Sequence, residues 1–286
     1  MVNLHRDEFT LRQTMQQPDF ECYHYCDAVP PVVDFHEHEF YEIFFFMSGN
    51  VLYTVEGRTY QLRPGDILLT NNRDIHRPDV RPGKPYERYV IWVQPDVIED
   101  VRRLGTDLSA CFVDAAEKKY KLIRPDSAVL ARLRGMCEKM LYCRNETNFG
   151  SSTLSFIYLI EFLVYLNRAY FATPSAIRQD VTENEKVNQA VAFINDHLDE
   201  DLSLDRLAGV LYVSKSHLSH RFKEFTGLTL YQYIIKKRLV VARNMLREGA
   251  QVMDACLQCG FNDYSNFLKA FKREFGKSPK EFMPRM

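Results

Sequence analysis

Four side chains near the N-terminus have the types and spacing to hold a metal ion or a hydroxylated ligand. His36 and His38 flank one residue, Glu42 follows four positions later, and His76 lies farther along in PGDILLTNNRDIHRP. Imidazole and carboxylate donors suit iron, manganese, zinc or nickel, and they hydrogen-bond a small polar molecule equally well. Strand alternation would place His36, His38, Phe40 and Glu42 on one face. Phe44, Phe46, Tyr53 and Trp92 have rings that could stack on a pyranose or simply fill a core. The balance favours a metal-free effector pocket built from His36, His38, Glu42, Phe44, His76 and Trp92. No cofactor is therefore expected, and a divalent metal on His36, His38, Glu42 and His76 is kept as the alternative.

A second constellation is written twice in the last third of the chain, at about 202–227 and 252–276. In the first copy Leu204, Leu207, Ala208 and Leu211 recur at helical spacing, and Ser214 stands where a new helix would be capped. Leu218, Phe222 and Phe225 form its apolar stripe, which leaves Lys215, Ser216, His217, Ser219 and His220 outward. Short hydrogen-bonding side chains in the first turns of a helix suit base edges in a major groove. Arg221 and Lys223 suit phosphates, contacts that orient without specifying. In the second copy Asp254, Cys256, Leu257 and Cys259 belong to the scaffold helix, Gly260 to the turn and Asn262 to the cap. Phe267, Phe271 and Phe275 pack at four-residue spacing. Tyr264, Ser265, Asn266, Leu268 and Lys269 face outward, flanked by Lys272 and Arg273. The CxxC of Cys256 and Cys259 supplies only two of the four ligands zinc takes, so both read as buried small hydrophobes.

The elements that must position these groups change character along the chain. From Val29 to Gln94 aromatic and β-branched residues alternate with turns at Gly49, Gly57, Pro64-Gly65 and Asn71-Asn72, the pattern of a small barrel or sandwich. After Pro95 helical spacing takes over, with longer segments at Asp126–Cys143 and Ser151–Tyr170; Leu154–Leu166 is apolar almost all round, which suits a dimer seam. A polar stretch, 172–184, reads as a linker ending in a capping box from Thr182 to Glu185. The expected division is thus a barrel at 1–95, a helical dimerisation segment at 96–171, the linker, and an all-α domain at 185–286.

The net charge of -1 at pH 7 conceals an asymmetry: residues 185–286 carry 16 Lys plus Arg against 12 Asp plus Glu, and residues 1–184 carry 21 against 26. Only the C-terminal third suits a polyanion. No uninterrupted apolar run approaches a membrane span, the first residues are not signal-like, and seven irregularly spaced cysteines suit a reducing compartment, so a cytoplasmic protein without a membrane partner is expected.

Residues 185–284 resemble the DNA-binding domain of the AraC-type (AraC/XylS) family of bacterial transcription regulators. The resemblance rests on Leu204, Leu207, Ala208, Ser214, Leu218, Phe222, Lys223 and Gly227, and on Gly260, Phe261, Phe267, Phe271, Lys272, Gly276, Ser278 and Pro279. It implies two helix-turn-helix units joined by a central helix over about Leu230–Leu246 and set in successive major grooves. Base contacts would then fall to Ser216, Ser219 and His220, and to Tyr264, Ser265 and Lys269. Ala255-Cys256 and the closing FMPRM depart from the family pattern away from the outward faces. The segment Val29–Gln94, with its His-x-His, Glu and distant His, is similar to a cupin, the jelly-roll barrel that many such regulators carry as a sensor.

The resemblances imply a non-enzymatic, ligand-responsive regulator of carbohydrate or related metabolic genes that binds promoter or operator DNA, takes a sugar-like effector, forms a homodimer and contacts RNA polymerase. No catalytic residues are expected. The alternatives are a metal-dependent cupin enzyme of dioxygenase or isomerase type fused to a helical module, and a regulator that senses by protein contact alone.

Overall fold

The computed structural model describes residues 6–10, 13–103, 105–118, 120–172 and 181–283. The chain divides into two compact units, residues 1–55 with 59–182 and residues 56–58 with 183–286.

In the first unit the strands are β1 (Phe20–Asp27), β2 (Tyr41–Ser48), β3 (Val51–Val55), β4 (Arg58–Gln61), β5 (Ile67–Thr70), β6 (His76–Val80), β7 (Tyr86–Val93), β8 (Leu122–Ile123) and β9 (Val181–Thr182). They form a five-stranded sheet ordered β1-β7-β2-β5-β8 and a four-stranded sheet ordered β6-β3-β4-β9. The antiparallel register sets Glu42 opposite Trp92 and Phe44 opposite Val90. Because successive strand residues face opposite ways, β2 serves two cores at once. Phe44 and Phe46, with Val90 and Trp92 of β7, join Tyr53 and Val55 of the second sheet in a core between the sheets. Ile43 and Phe45, with Tyr89, Ile91 and Val93, face the helices. A strand buried on both sides reads as a continuous apolar run, which is why EIFFFM shows no alternation.

The helices on that outer face are α1 (Pro95–Arg102), α2 (Ala110–Glu117), α3 (Ser127–Asn145) and α4 (Ser151–Ala172). Pro95 opens α1 at its first turn, where the missing N–H costs nothing. Asp126 caps α3, accepting from the backbone N–H of Ala128 and Val129 at 2.9 Å each. Leu133, Met136, Cys137 and Met140 of α3 meet Leu159, Phe162, Leu163 and Leu166 of α4 in the core. By length and composition α4 could cross a membrane, although the sequence holds no unbroken apolar run of that length. Here one face packs in the core, while Leu154 and Ile157 are exposed.

The second unit holds α5 (Glu185–Asp196), α6 (Leu204–Val210), α7 (Lys215–Thr226), α8 (Leu230–Arg247), α9 (Val252–Gln258), α10 (Tyr264–Phe275) and a 3-10 turn at Pro279–Phe282. The central helix α8 begins in a full capping box between Thr229 and Gln232. Its Tyr233 ring meets Phe222 of α7 edge-on at 5.2 Å, and its Leu239, Ala242 and Leu246 close over Phe267 and Phe271 of α10. Arg238, also on α8, donates to the carbonyl oxygens of Leu198 and Glu200 at 2.9 and 2.6 Å, tying down the turn after α5.

Four expectations need correction. Residues 37–40 are not strand: His36 makes only an isolated bridge to His76, and β2 begins at Tyr41. The barrel does not end at residue 95, because β8 and β9 add edges to its two sheets. The proposed linker is occupied at both ends, Ala172 closing α4 and Val181–Thr182 pairing with β4; residues 173–180 lie outside the described residues. The cap of α5 is Asn184, accepting from the Val187 N–H at 3.2 Å, and not Thr182.

Gly260 and Gly276 separate backbone strain from crowding. Both have positive φ, +77° and +70°, but a Cβ at Gly260 would lie 2.3 Å from the Leu198 carbonyl oxygen, while at Gly276 nothing lies within 4 Å. Gly276→Ala should cost only the left-handed backbone penalty of about 1–2 kcal/mol. Gly260→Ala should cost well beyond that, as a lower urea midpoint of the full chain; equal losses would contradict the crowding.

Candidate functional site

Between the two sheets the carboxylate of Glu42 is withdrawn from water, 6% exposed, and met from both. Tyr53 Oη on β3 donates to Oε1 at 3.0 Å, and Trp92 Nε1 on β7 donates to Oε2 at 2.7 Å. His38 Nε2 stands 3.6 Å from Oε2, and His76 Nε2 stands 3.9 Å from Oε1. Burial by itself would raise the Glu42 carboxyl. The His38 imidazole, with His76 and His36 beyond it, more than offsets that and holds the group well below the usual carboxylate range. Burial has the opposite consequence at His76: it pushes the ring far below the ordinary imidazole value, helped by His36 and His38, and outweighs the pull of Glu42.

The local chain sets the orientation of both rings. His38 Nδ1 lies 2.8 Å from the Phe40 carbonyl oxygen and His76 Nδ1 lies 3.0 Å from that of Asp74. A carbonyl only accepts, so Nδ1 carries a proton in each ring, and the favourable interaction of His38 with Glu42 arises when its Nε2 is protonated as well. His36 is placed differently: its backbone pairs with that of His76, and its Nδ1 bonds the Asp34 carbonyl at 2.9 Å. The His38, Glu42 and His76 donor atoms lie within 4.8 Å of one another, a set that excludes His36.

Beside this cluster is a narrow cavity of about 60 Å³. Of the expected pocket residues, His36, Glu42, Phe44 and Trp92 line it, whereas His38 and His76 do not. Sequence reasoning missed Arg88, Tyr25 and Tyr86 in the same lining. The Arg88 guanidinium is buried, pairs with Asp27, donates to the Tyr86 carbonyl at 3.2 Å and stacks 3.9 Å over the Tyr86 ring. Its place was legible in principle, since Arg88, Val90 and Trp92 share the inward parity of β7.

The second unit repeats one construction. Ser214 Oγ accepts from the His217 N–H at 3.2 Å to start α7, and Asp263 accepts from the Asn266 N–H at 2.8 Å to start α10. The cap of α10 is therefore Asp263 rather than Asn262, which is exposed in the preceding turn. Each helix ends on a left-handed glycine, Gly227 and Gly276. Leu218 and Phe222 on one helix, and Phe267 and Phe271 on the other, are buried. Lys215, Ser216, His217, Ser219, His220 and Lys223 are exposed on α7, as are Ser265, Asn266, Lys269, Lys272 and Arg273 on α10; Tyr264 and Arg221 are half-buried. Lys215 pairs with Asp205, and Arg221 pairs with Glu224 at 2.8 Å. Cys256 and Cys259 lie in the core, Cys259 Sγ resting 3.6 Å from Met245 Sδ, whereas Leu257 is exposed.

Two measurements check this electrostatic account. Trp92→Phe deletes one donor to the buried carboxylate and should destabilise the first unit by about 1–3 kcal/mol in chemical denaturation; an unchanged midpoint would show that Glu42 does not depend on that bond. Burial pushes the Cys259 thiol up to about 12, from an ordinary value of 9.0. The unfolded chain thus releases this proton first, so the stabilising contribution of the thiol is complete below about pH 9 and declines as the pH rises toward 12. Cys259→Ala should flatten that alkaline decline in a pH series of urea midpoints.

Comparison with known proteins now places both units. Residues 17–163 match the AraC-like ligand binding domain, and residues 207–285 match a helix-turn-helix domain. The chain is 26% identical over 249 residues to the HTH-type transcriptional activator RhaS of Klebsiella pneumoniae, covering 86% of each protein. Among solved structures it is similar to the C-terminal domain of AraT, a response regulator from Geobacillus stearothermophilus, with 26% identity, 36% of this chain and 89% of that one covered, and a TM-score of 0.35. It also aligns with unsaturated fatty acid bound ToxT from Vibrio cholerae, with 14% identity, 94% and 96% covered, and a TM-score of 0.39. The RhaS relative is by name a transcriptional activator. A ligand-binding domain matched over half the chain, followed by a DNA-binding domain, establishes that this protein belongs to the AraC family of ligand-responsive transcription regulators.

Proposed function

We propose that this regulator answers a sugar or a related polyol and controls carbohydrate or related metabolic genes from the cytoplasm. The observation that carries the DNA half is the duplicated helix: two equally capped helices bury their aromatic stripes and leave short polar side chains and cations outward. Ser216, Ser219 and His220 on α7, and Tyr264, Ser265 and Lys269 on α10, are assigned to base edges, and Lys223, Lys272 and Arg273 to phosphates. The cavity beside Glu42, with Trp92 and Phe44 for stacking, Arg88 as donor and Glu42 as acceptor, supports a hydroxylated effector. The relatives named RhaS are activators, which supports positive control and a contact with RNA polymerase. Homodimerisation is assigned to α4, whose Leu154 and Ile157 are exposed apolar side chains. Effector binding would act by shifting the population competent to hold DNA.

Gel retardation on the DNA upstream of the chain's own gene tests this reading. Ser219→Ala with His220→Ala should weaken the specific complex about tenfold or more and relax preference within one half of the site. Lys272→Ala should weaken binding to all sequences alike and reduce the slope of log affinity against log salt by about 1. Binding that is neither salt-sensitive nor sequence-selective would overturn the assignment.

A further inference from the structure

One wall of the effector cavity carries a hydrogen-bond donor that the described residues leave unmet. Arg88 lines the space from β7 and is only 2% exposed. The two acceptors that reach its guanidinium, the Asp27 carboxylate and the Tyr86 carbonyl oxygen, both take Nη1. Nη2 is buried and has no partner among the described residues. The rings of Tyr86, Tyr25 and Phe9 lie 3.9, 4.8 and 5.0 Å from the guanidinium carbon, so they favour its charge without accepting a hydrogen bond from Nη2. A buried cationic donor left unmet is costly, and an occupant that brings an acceptor recovers that cost on binding.

We propose that Arg88 Nη2 binds a carboxylate on the effector, which makes the effector a hydroxylated acid of the aldonate or uronate kind rather than a neutral sugar or polyol. The inference rests on the reading of this cavity as the effector site and narrows its ligand class. Size points the same way: about 60 Å³ is well under the roughly 150 Å³ of an engineered cavity that holds benzene, so an end group enters and a whole sugar ring does not. Thr10 and Gln13 belong to the same lining and are exposed, which leaves the rest of the molecule a way out. The charge of Arg88 is not spent on its partner, because Asp27 is 21% exposed and turned in part to water, whereas the guanidinium is not. A single negative charge spread over two oxygens then gains a charge-assisted bond in a dry site. A phosphate dianion would bring a second charge up against Glu42, which lines the same space.

Thermal denaturation of the full chain tests this with gluconate, galacturonate and glycerate, each set against its neutral counterpart, sorbitol, galactose and glycerol. At least one acid should raise Tm by several degrees while its counterpart leaves it unchanged. Calorimetric titration of that acid should show Arg88→Gln combined with Asp27→Asn weakening binding tenfold or more. The paired substitution removes both charges and strands neither; circular dichroism and DNA retardation identify a variant that fails to fold, and the comparison on the wild-type chain stands without it. Undiminished acid binding in the folded pair would overturn the role of Arg88. Stabilisation by a neutral counterpart and by no acid would overturn the carboxylate while leaving the cavity as the effector site, and stabilisation by inorganic phosphate alone would do the same. Silence from acids, neutral counterparts and phosphate together would overturn the effector reading of the cavity as well.

Discussion

Withdrawing a carboxylate from water costs several kcal/mol unless its lone pairs are met, and Glu42 meets this demand by drawing on both sheets. Trp92 comes from the neighbouring strand of its own sheet and Tyr53 from the sheet across, so satisfying one side chain fixes the separation and register of the layers at that level. The inward parity of β2 follows from the same requirement. With Glu42 inside, Phe44 and Phe46 must also point inward, which sends Ile43 and Phe45 to the helices. A shift of one residue would expose the charge to the wrong core and strand every partner at once. The cavity owes its polar wall to this arrangement, because Glu42 both closes the cluster of imidazoles and lines the space beside it.

The second unit is ruled by a different economy. Each recognition helix has a narrow apolar stripe, and α8 supplies the surface that both stripes bury against. Since α8 takes the aromatic sides, the remaining faces of α7 and α10 are left to solvent, and those faces carry different chemistry: hydroxyls and histidines on one, amide, hydroxyl and lysine on the other. Two matching scaffolds thus present unlike outward residues. Cys256 of α9 and Cys259, the residue that closes it, belong to the packing side, where burial suppresses their ionisation and hence their reactivity.

Much of this was legible from residue order. The helical repeat follows from its period, its stops from Gly227 and Gly276, and the strands between Tyr41 and Val93 from aromatic and β-branched runs between turn residues. β8 and β9 were not legible, because a two-residue strand has no period and exists only where an edge is free to accept it. The start of α10 shows a subtler limit. Asn262 and Asp263 are both good caps, and the choice between them depends on the turn geometry set by Gly260 under the Leu198 carbonyl. Arg88 was passed over because a cation in a strand is ordinarily a solvated residue, whereas here Asp27 and the Tyr86 ring make burial tolerable.

By itself the sequence determined the class of each unit and the chemistry available to it: which helices could face a duplex, and which acids and imidazoles a barrel could contain. Those properties depend on spacings of a few residues, which the backbone periods of strand and helix translate directly into faces. Only the tertiary structure decided which of the three candidate histidines, His36, His38 and His76, join Glu42. His36, two residues from His38, is diverted into a bridge with His76, while His76, remote in the chain, arrives beside the carboxylate. The physical reason is that residues 37–40 are irregular rather than a strand, so alternation does not apply there, and convergence is set by hydrogen bonds to the carbonyls of Phe40 and Asp74 that no sequence period encodes.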